Sequence, residues 1–306
     1  MNPRDWTAAS TASRVGTSAD IMRIAVGIFA HQEERRIDAC LASLPLDRAD
    51  IIYHVLVNGS TDATAARARA AAAAAGRANI IVHELATGGK ARTWNRFMHD
   101  LLGGDEDAIL CMDGDARIAK GSVDALRSAL TANPNSNAAA AMPMNGRLAD
   151  YYRGLLCEEG GLFGDLYALS GHFVQRIRAR GLRLPDDLIG DDGLIAAWAH
   201  TDLQSDSAWQ RDRVVACPEA GFFCDPVRLT SPSSWWMQHR RMVNYSVRFF
   251  QNRIVSDIMG REGPDGLPAR LSDLYPLWLE WFRPRLGTNW WFDRLALKRM
   301  RWQGSD

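Results

Sequence analysis

The sequence predicts an α/β protein with a mostly parallel sheet flanked by helices. Residues 21–132 alternate short apolar runs with helical patterns four times, the spacing of strands joined by crossover helices. The runs are continuously apolar, as strands buried on both faces are. Polar clusters at 31–34, 58–62 and 113–115 directly follow three of the runs. Sheets of this kind bind ligands beyond the carboxyl ends of their strands, so these clusters are the first functional signal.

Ile21–Ala30 (IMRIAVGIFA) reads as the first strand. A polar helix start, HQEERRIDACLASL, follows, with Ile37, Cys40, Leu41 and Leu44 at helical spacing and Pro45 as its stop. IIYHVLV at 51–57 is the second strand, and Asn58-Gly59-Ser60-Thr61-Asp62 combines turn and cap residues. The Ala-rich stretch 63–75 is a helix closed by Gly76. Asn79–Glu84 is a third strand, and Gly88-Gly89 leads into a helix near 90–102. Asp107–Met112 is a fourth strand, closed by Asp113-Gly114-Asp115, and a helix over about 121–132 ends before Asn133-Pro134.

The region 138–230 is less regular, with a strand at Ala138–Met144, a Gly-rich stretch at Glu158–Gly164 and an acidic loop at Asp186–Asp192. Residues 234–306 differ in composition. They hold seven of the eleven Trp and carry 12 basic and 7 acidic residues. This aromatic- and Arg-rich segment is expected to be helical. Its mixture over 275–302 suits a peripheral membrane contact, a helix packed on the main domain, or a dimer contact.

Composition narrows the function. Lys+Arg and Asp+Glu are both 36 in 306 residues, which argues against nucleic acid as a partner, since that needs excess positive charge. No apolar run reaches the roughly 18 residues of a membrane span. The first 20 residues lack the apolar core of a signal peptide and read as a disordered leader. Five scattered cysteines fit a cytoplasmic chain with reduced thiols.

Asp113-Gly114-Asp115 places two carboxylates one residue apart after a buried strand. That spacing suits a divalent cation, Mn2+ or Mg2+, whose shell is completed by substrate phosphates; an acidic turn looks the same. Asp191-Asp192 reads either as a helix cap favoured by the dipole or as a general base, because neighbouring carboxylates raise each other's proton affinity. His172 reads as a structural histidine or an acceptor contact. Trp235 reads as core or as a platform for a sugar ring.

In order along the chain, five blocks resemble the inverting family-2 glycosyltransferases of GT-A fold. Ala30-His31-Gln32-Glu33-Glu34 resembles "AYNEE", and Asn58-Gly59-Ser60-Thr61-Asp62 resembles "DGSTD". Gly89-Lys90 through Asn95 resembles "GK…N", Asp113-Gly114-Asp115 resembles "DxD", and Gly190-Asp191-Asp192 resembles "(G)ED". Gln238-His239-Arg240-Arg241-Met242 resembles "QxxRW", with Met242 in place of Trp, which puts a processive, polymer-channel role in doubt. An Arg-rich amphipathic helix reads the same.

The resemblance covers about 22–245 and implies a Rossmann-like GT-A sheet. It implies donor contacts from Ala30, His31, Glu33, Asn58, Asp62, Lys90, Asp113 and Asp115, with Asp115 as the metal ligand. Asp192 is implied as the base, supported by Asp191. Gln238, Arg240, Arg241, His172 and Trp235 are implied at the leaving group or acceptor. Residues 21–132 are then the nucleotide-sugar half, 133–233 the acceptor half, and 234–306 a C-terminal helical segment. Asn58 stands where the family has Asp, which leaves selectivity for uridine less assured.

The implied activity is metal-dependent, inverting transfer from a nucleotide-diphosphate sugar to a saccharide or lipid-linked acceptor in surface polysaccharide or glycolipid assembly. The implied place is the cytoplasm or the inner face of the membrane; a homo-oligomer is compatible with it. The alternatives are a catalytically silent scaffold of the same fold that binds nucleotide or a partner transferase, and a sugar nucleotidyltransferase. The latter needs a Gly-rich phosphate loop after the first strand, where this chain has HQEERR.

Overall fold

The computed structural model describes residues 23–76, 79–225 and 232–304. The expected leader at 1–20 lies outside them. The first half runs β1 (Ile24–Ala30), α1 (Ile37–Ala42), β2 (Ile51–Asn58), α2 (Thr64–Ala75), β3 (Ile80–Leu85), α3 (Lys90–Arg96), β4 (Ala108–Asp113), β5 (Arg117–Ile118) and α4 (Ser122–Ala132). The second half runs β6 (Ala138–Pro143), α5 (Ala149–Glu159), β7 (Leu166–Ser170), α6 (Gly171–Ala179), α7 (Asp191–His200), β8 (Val214–Phe223), α8 (Pro232–Arg261), α9 (Tyr275–Trp278) and α10 (Trp290–Gln303).

Eight strands form one sheet in the order β3-β2-β1-β4-β7-β6-β8-β5. β1 pairs in parallel with both β2 and β4, and β2 with β3. All seven residues of β1 are buried, and alternation sends them to two cores. Ala25 and Phe29 join Trp94, Tyr167, Trp198 and Phe250 on the face covered by α3, α6, α7 and α8. Ile24, Val26 and Ile28 join Ile37, Leu41 and Leu126 on the face covered by α1, α2 and α4. The sheet is thus mostly parallel with helices on both faces, as the alternation predicts, and the segment after 232 is helical.

Two details differ from the sequence reading. The first helix starts at Ile37, six residues after His31. Gln32 is left-handed at φ 58, and the backbone N–H groups of Gln32, Glu33 and Glu34 donate to Ser60 Oγ, Thr64 Oγ1 and Asp62 Oδ2. The stretch 31–36 is held as a loop by the turn at 58–64, despite helix-compatible residues. The second difference is β7, an antiparallel strand inserted between β4 and β6. Its five residues, LYALS, carry too little pattern to announce a strand.

Candidate functional site

Two loops close the carboxyl ends of β1 and β2. The buried Asn58 donates from Nδ2 to the carbonyl of Ala30 at 3.1 Å and accepts from Gly89 N–H at 3.2 Å. His31 Nδ1 lies 2.7 Å from the carbonyl of Asn58. Asn58 is therefore a brace between three loops. An aspartate there would lose the donor that holds Ala30, which gives the departure from "DGSTD" a physical meaning.

Asp62 has a structural duty that the resemblance did not imply. Its Oδ1 accepts from Thr64 N–H at 3.1 Å and from the Thr64 hydroxyl at 2.5 Å, while Oδ2 accepts from Glu34 N–H at 3.1 Å. Desolvation raises its pKa, but these hydrogen bonds prevail and hold it low. Its carboxylate ties the start of α2 to the first loop. Asp62→Ala is expected to cost about 1 kcal/mol, the usual value of a side-chain hydrogen bond lost at a helix start, read as a shifted denaturant midpoint.

At the end of β4 the antiparallel register sets the chemistry. Met112 pairs with Leu166, so the next step along both strands places Asp113 beside Asp165. One oxygen from each of Asp113, Asp115 and Asp165 lies within 4.8 Å of the others. Gly114 must be glycine because a Cβ there would stand 2.8 Å from that of Ala30. Gly114→Ala is expected to destabilise the fold by about 1–3 kcal/mol, the range for overpacking, seen as a lowered melting temperature.

Two cations face this acidic set. Lys90, the first residue of α3, brings Nζ 2.5 Å from Asp113 Oδ1 and 3.9 Å from Asp191 Oδ1. Burial works against its charge, yet Asp113, Asp191 and Asp192 hold its pKa above the ordinary lysine value. Arg36 Nη1 reaches Asp115 Oδ2 at 3.1 Å and forks onto Glu33 at 2.6 and 2.8 Å. Burial, with Asp115 nearby, pushes Glu33 up to about 7. Burial also pushes Asp113 well up, opposed by Lys90 and aided by Asp165 and Asp115. Burial raises Asp165 too, against the hydrogen bond donated by the Cys224 thiol at 3.0 Å. The donor set is three hard oxygens with negative charge that Lys90 and Arg36 do not balance. That set fits a divalent cation such as Mn2+ or Mg2+.

The third wall is the start of α7. Asp191 is 4% exposed and its Oδ2 has no hydrogen-bond partner. Burial raises its pKa, opposed by Lys90 and aided by Asp192. Asp192 Oδ1 accepts from Arg248 Nη2 at 2.9 Å and from Gly193 N–H at 3.0 Å. Gly190 has φ 87, and a Cβ there would collide with the Arg248 guanidinium. The glycine before the acidic pair thus admits the arginine that orients Asp192.

The structure brings Ala30, His31, Glu33, Asn58, Lys90, Asp113, Asp115, Asp191 and Asp192 to one end of the sheet. Arg36, Asp165 and Arg248 join them, although no local motif announces these three. His172 is a correction. β7 pairs Ser170 with Ala108, and His172 Nε2 lies 3.3 Å from Ser170 Oγ. That is the amino end of β4, about 17 Å along the strand from Asp113, so His172 does not line the site. Gln238, Arg240 and Arg241 stand on the first turns of α8, where Arg240 and Arg241 are exposed. None of the three contacts the carboxylates; the contact from α8 is Arg248, two turns beyond Arg241. Trp235 is 67% exposed at the start of that helix and is not a core residue.

Residues 25–172 match the model of the family described as glycosyl transferase family 2. No curated protein matches the sequence. Among solved structures, a mannosyltransferase from Pyrobaculum calidifontis aligns with TM-score 0.56 at 17% identity, covering 92% of this chain and 87% of its own. Glucosyl-3-phosphoglycerate synthase from Mycobacterium tuberculosis aligns with TM-score 0.50 at 20% identity, covering 74% of this chain and 78% of its own. At these identities the two likenesses establish the shared GT-A fold. With the family match, the fold and the ordered acidic blocks together, the chain is a glycosyltransferase whose residues 25–172 match glycosyl transferase family 2.

Proposed function

We propose that the chain moves a sugar from a nucleotide-diphosphate donor to a saccharide or lipid-linked acceptor, dependent on a divalent cation and with inversion at the anomeric carbon. The observation that carries this reading is the meeting of two carboxylate sets across Lys90: Asp113, Asp115 and Asp165 on one side, Asp191 and Asp192 on the other. Asp115 would hold the cation with Asp113 and Asp165. When bound, such an ion supplies positive charge to the departing diphosphate. The solved structure from P. calidifontis contains GDP-Man and Mn2+, in keeping with that assignment.

In this reading Ala30, His31 and the braced loops at 31–34 and 58–62 form the floor for the nucleoside. Lys90 sits where it can meet phosphate oxygens or a sugar hydroxyl. Asp192, held by Arg248, takes the proton from the acceptor hydroxyl as its oxygen bonds to the anomeric carbon. The bond from that carbon to the diphosphate breaks on the opposite face. Residues 21–132 hold the donor and 133–233 the acceptor, with Asp165 crossing from the second half to the metal set. The pathway proposed is surface polysaccharide or glycolipid assembly.

A thermal-shift panel of UDP, GDP, CMP and dTDP tests the donor site, because a ligand that binds the native state raises its stability by mass action. One diphosphate is expected to raise the melting temperature with Mn2+ and to lose that shift when a chelator removes the metal. A shift that persists without metal contradicts the proposed site.

A further inference from the structure

Exposed aromatics on the C-terminal segment serve neither core nor the carboxylate site. Trp281 is 78% exposed, Leu286 92%, Trp291 57% and Trp236 74%. A lone exposed apolar residue is ordinary, but here the start of α8 is linked to α10. Phe292 on α10 meets His239 on α8 at 5.7 Å, and His239 stacks on Trp236 at 5.9 Å. Arg294 lies over the Trp290 ring at 4.7 Å. A groove of about 720 Å³ is lined here by Trp290 and Trp291 and by Arg283, Arg294, Lys298 and Arg301. Between 281 and 302 the sequence has six cations and one carboxylate, Asp293. That carboxylate is fully buried against Arg285, so the charge exposed on this stretch is cationic.

We propose that this face docks on the surface of an anionic phospholipid bilayer. Trp236, Trp281, Leu286 and Trp291 enter the headgroup layer, and the groove cations hold a lipid phosphate. Indole rings favour the headgroup level, where the ring meets the apolar boundary and N–H meets water. Guanidinium forks match phosphate oxygens, and anionic leaflets attract each nearby Lys or Arg. No described helix is long and apolar enough to cross a bilayer, and the contact proposed is with the surface alone. The face extends past 275–302 to Trp236, because α8 packs along α10. On α8, Trp236 is about 18 Å along the axis from Arg248, the partner of Asp192. A surface-bound chain would thus hold its base within reach of a lipid-linked acceptor, a consequence that rests on the transferase reading.

The test is co-sedimentation of the full chain with phosphatidylcholine vesicles and with vesicles that also contain phosphatidylglycerol. Binding is expected to be about tenfold or more stronger to the anionic vesicles and to weaken with salt. Arg294→Glu with Lys298→Glu is expected to lower it by about tenfold or more, and Trp291→Ala to lower it further, with melting temperatures close to the parent's. Lys120→Glu, an exposed cation elsewhere on the surface, is expected to bind as the parent does. Equal binding to both vesicles, no binding to either, or an equal loss in Lys120→Glu overturns the proposal. So does a solution dimer that Trp291→Ala dissociates while vesicles bind nothing. No donor is present in the assay, so its failure leaves the transferase reading untouched.

Discussion

Asp192→Asn is expected to bind nucleotide diphosphate as tightly as the parent chain and to transfer sugar about 10²–10⁴ times more slowly, the range for a lost general base. The substitution keeps the shape of the side chain and removes its capacity to take a proton. Arg248 Nη2 at 2.9 Å and Gly193 N–H at 3.0 Å both meet Oδ1, and an amide oxygen can accept both. The side chain should therefore stay in place while its chemistry is lost. Titration of the diphosphate beside a transfer assay checks the split. Loss of binding together with transfer would make Asp192 a structural residue.

Asp115→Ala is expected to abolish the metal-dependent part of diphosphate binding. Asp115 is the half-exposed member of the three-carboxylate set, and its partner Arg36 is independently forked onto Glu33. Removing it leaves no buried charge unpaired, so the fold should lose about 1 kcal/mol or less, as for other partly exposed ion pairs. Calorimetric titration of the diphosphate with and without Mn2+ reads the difference. Metal-dependent binding that survives in the variant would remove Asp115 from the metal set.

What the sequence made legible follows from locality. β1 through β4 are short and buried on both faces, so each reads as an apolar run, and a motif that directly follows a strand inherits its position at the sheet's end. That places Asp113, Asp115 and the loops after β1 and β2. Asp165 escaped because its role comes from register. It follows a Gly-rich stretch, 50 residues after Asp115, and only the antiparallel return of β7 sets it beside Asp113. Arg248 escaped because it reaches Asp192 from the middle of the 30-residue helix α8. The motif earlier in that helix, Gln238 to Arg241, makes no contact with the carboxylates.

Asp62 and His172 show what position after a strand leaves out. Polar residues after strands are read as ligand contacts, yet a turn must also satisfy its own backbone groups, and Asp62 is spent on Thr64 and Glu34. His172 follows a strand too, but that strand runs against β4, so its carboxyl end lies at the opposite end of the sheet from Asp113. The direction of a strand inside a mixed sheet is not written in its own residues.

The measurement that bears most directly on the central claim is turnover of nucleotide sugars by the full chain, with Mn2+ and then with excess chelator, the anomeric proton of the product read by nuclear magnetic resonance. The account predicts turnover that requires the metal, falls away in Asp192→Asn, and gives a product of inverted anomeric configuration. Turnover that survives chelation, or a product that keeps the donor's configuration, would contradict it.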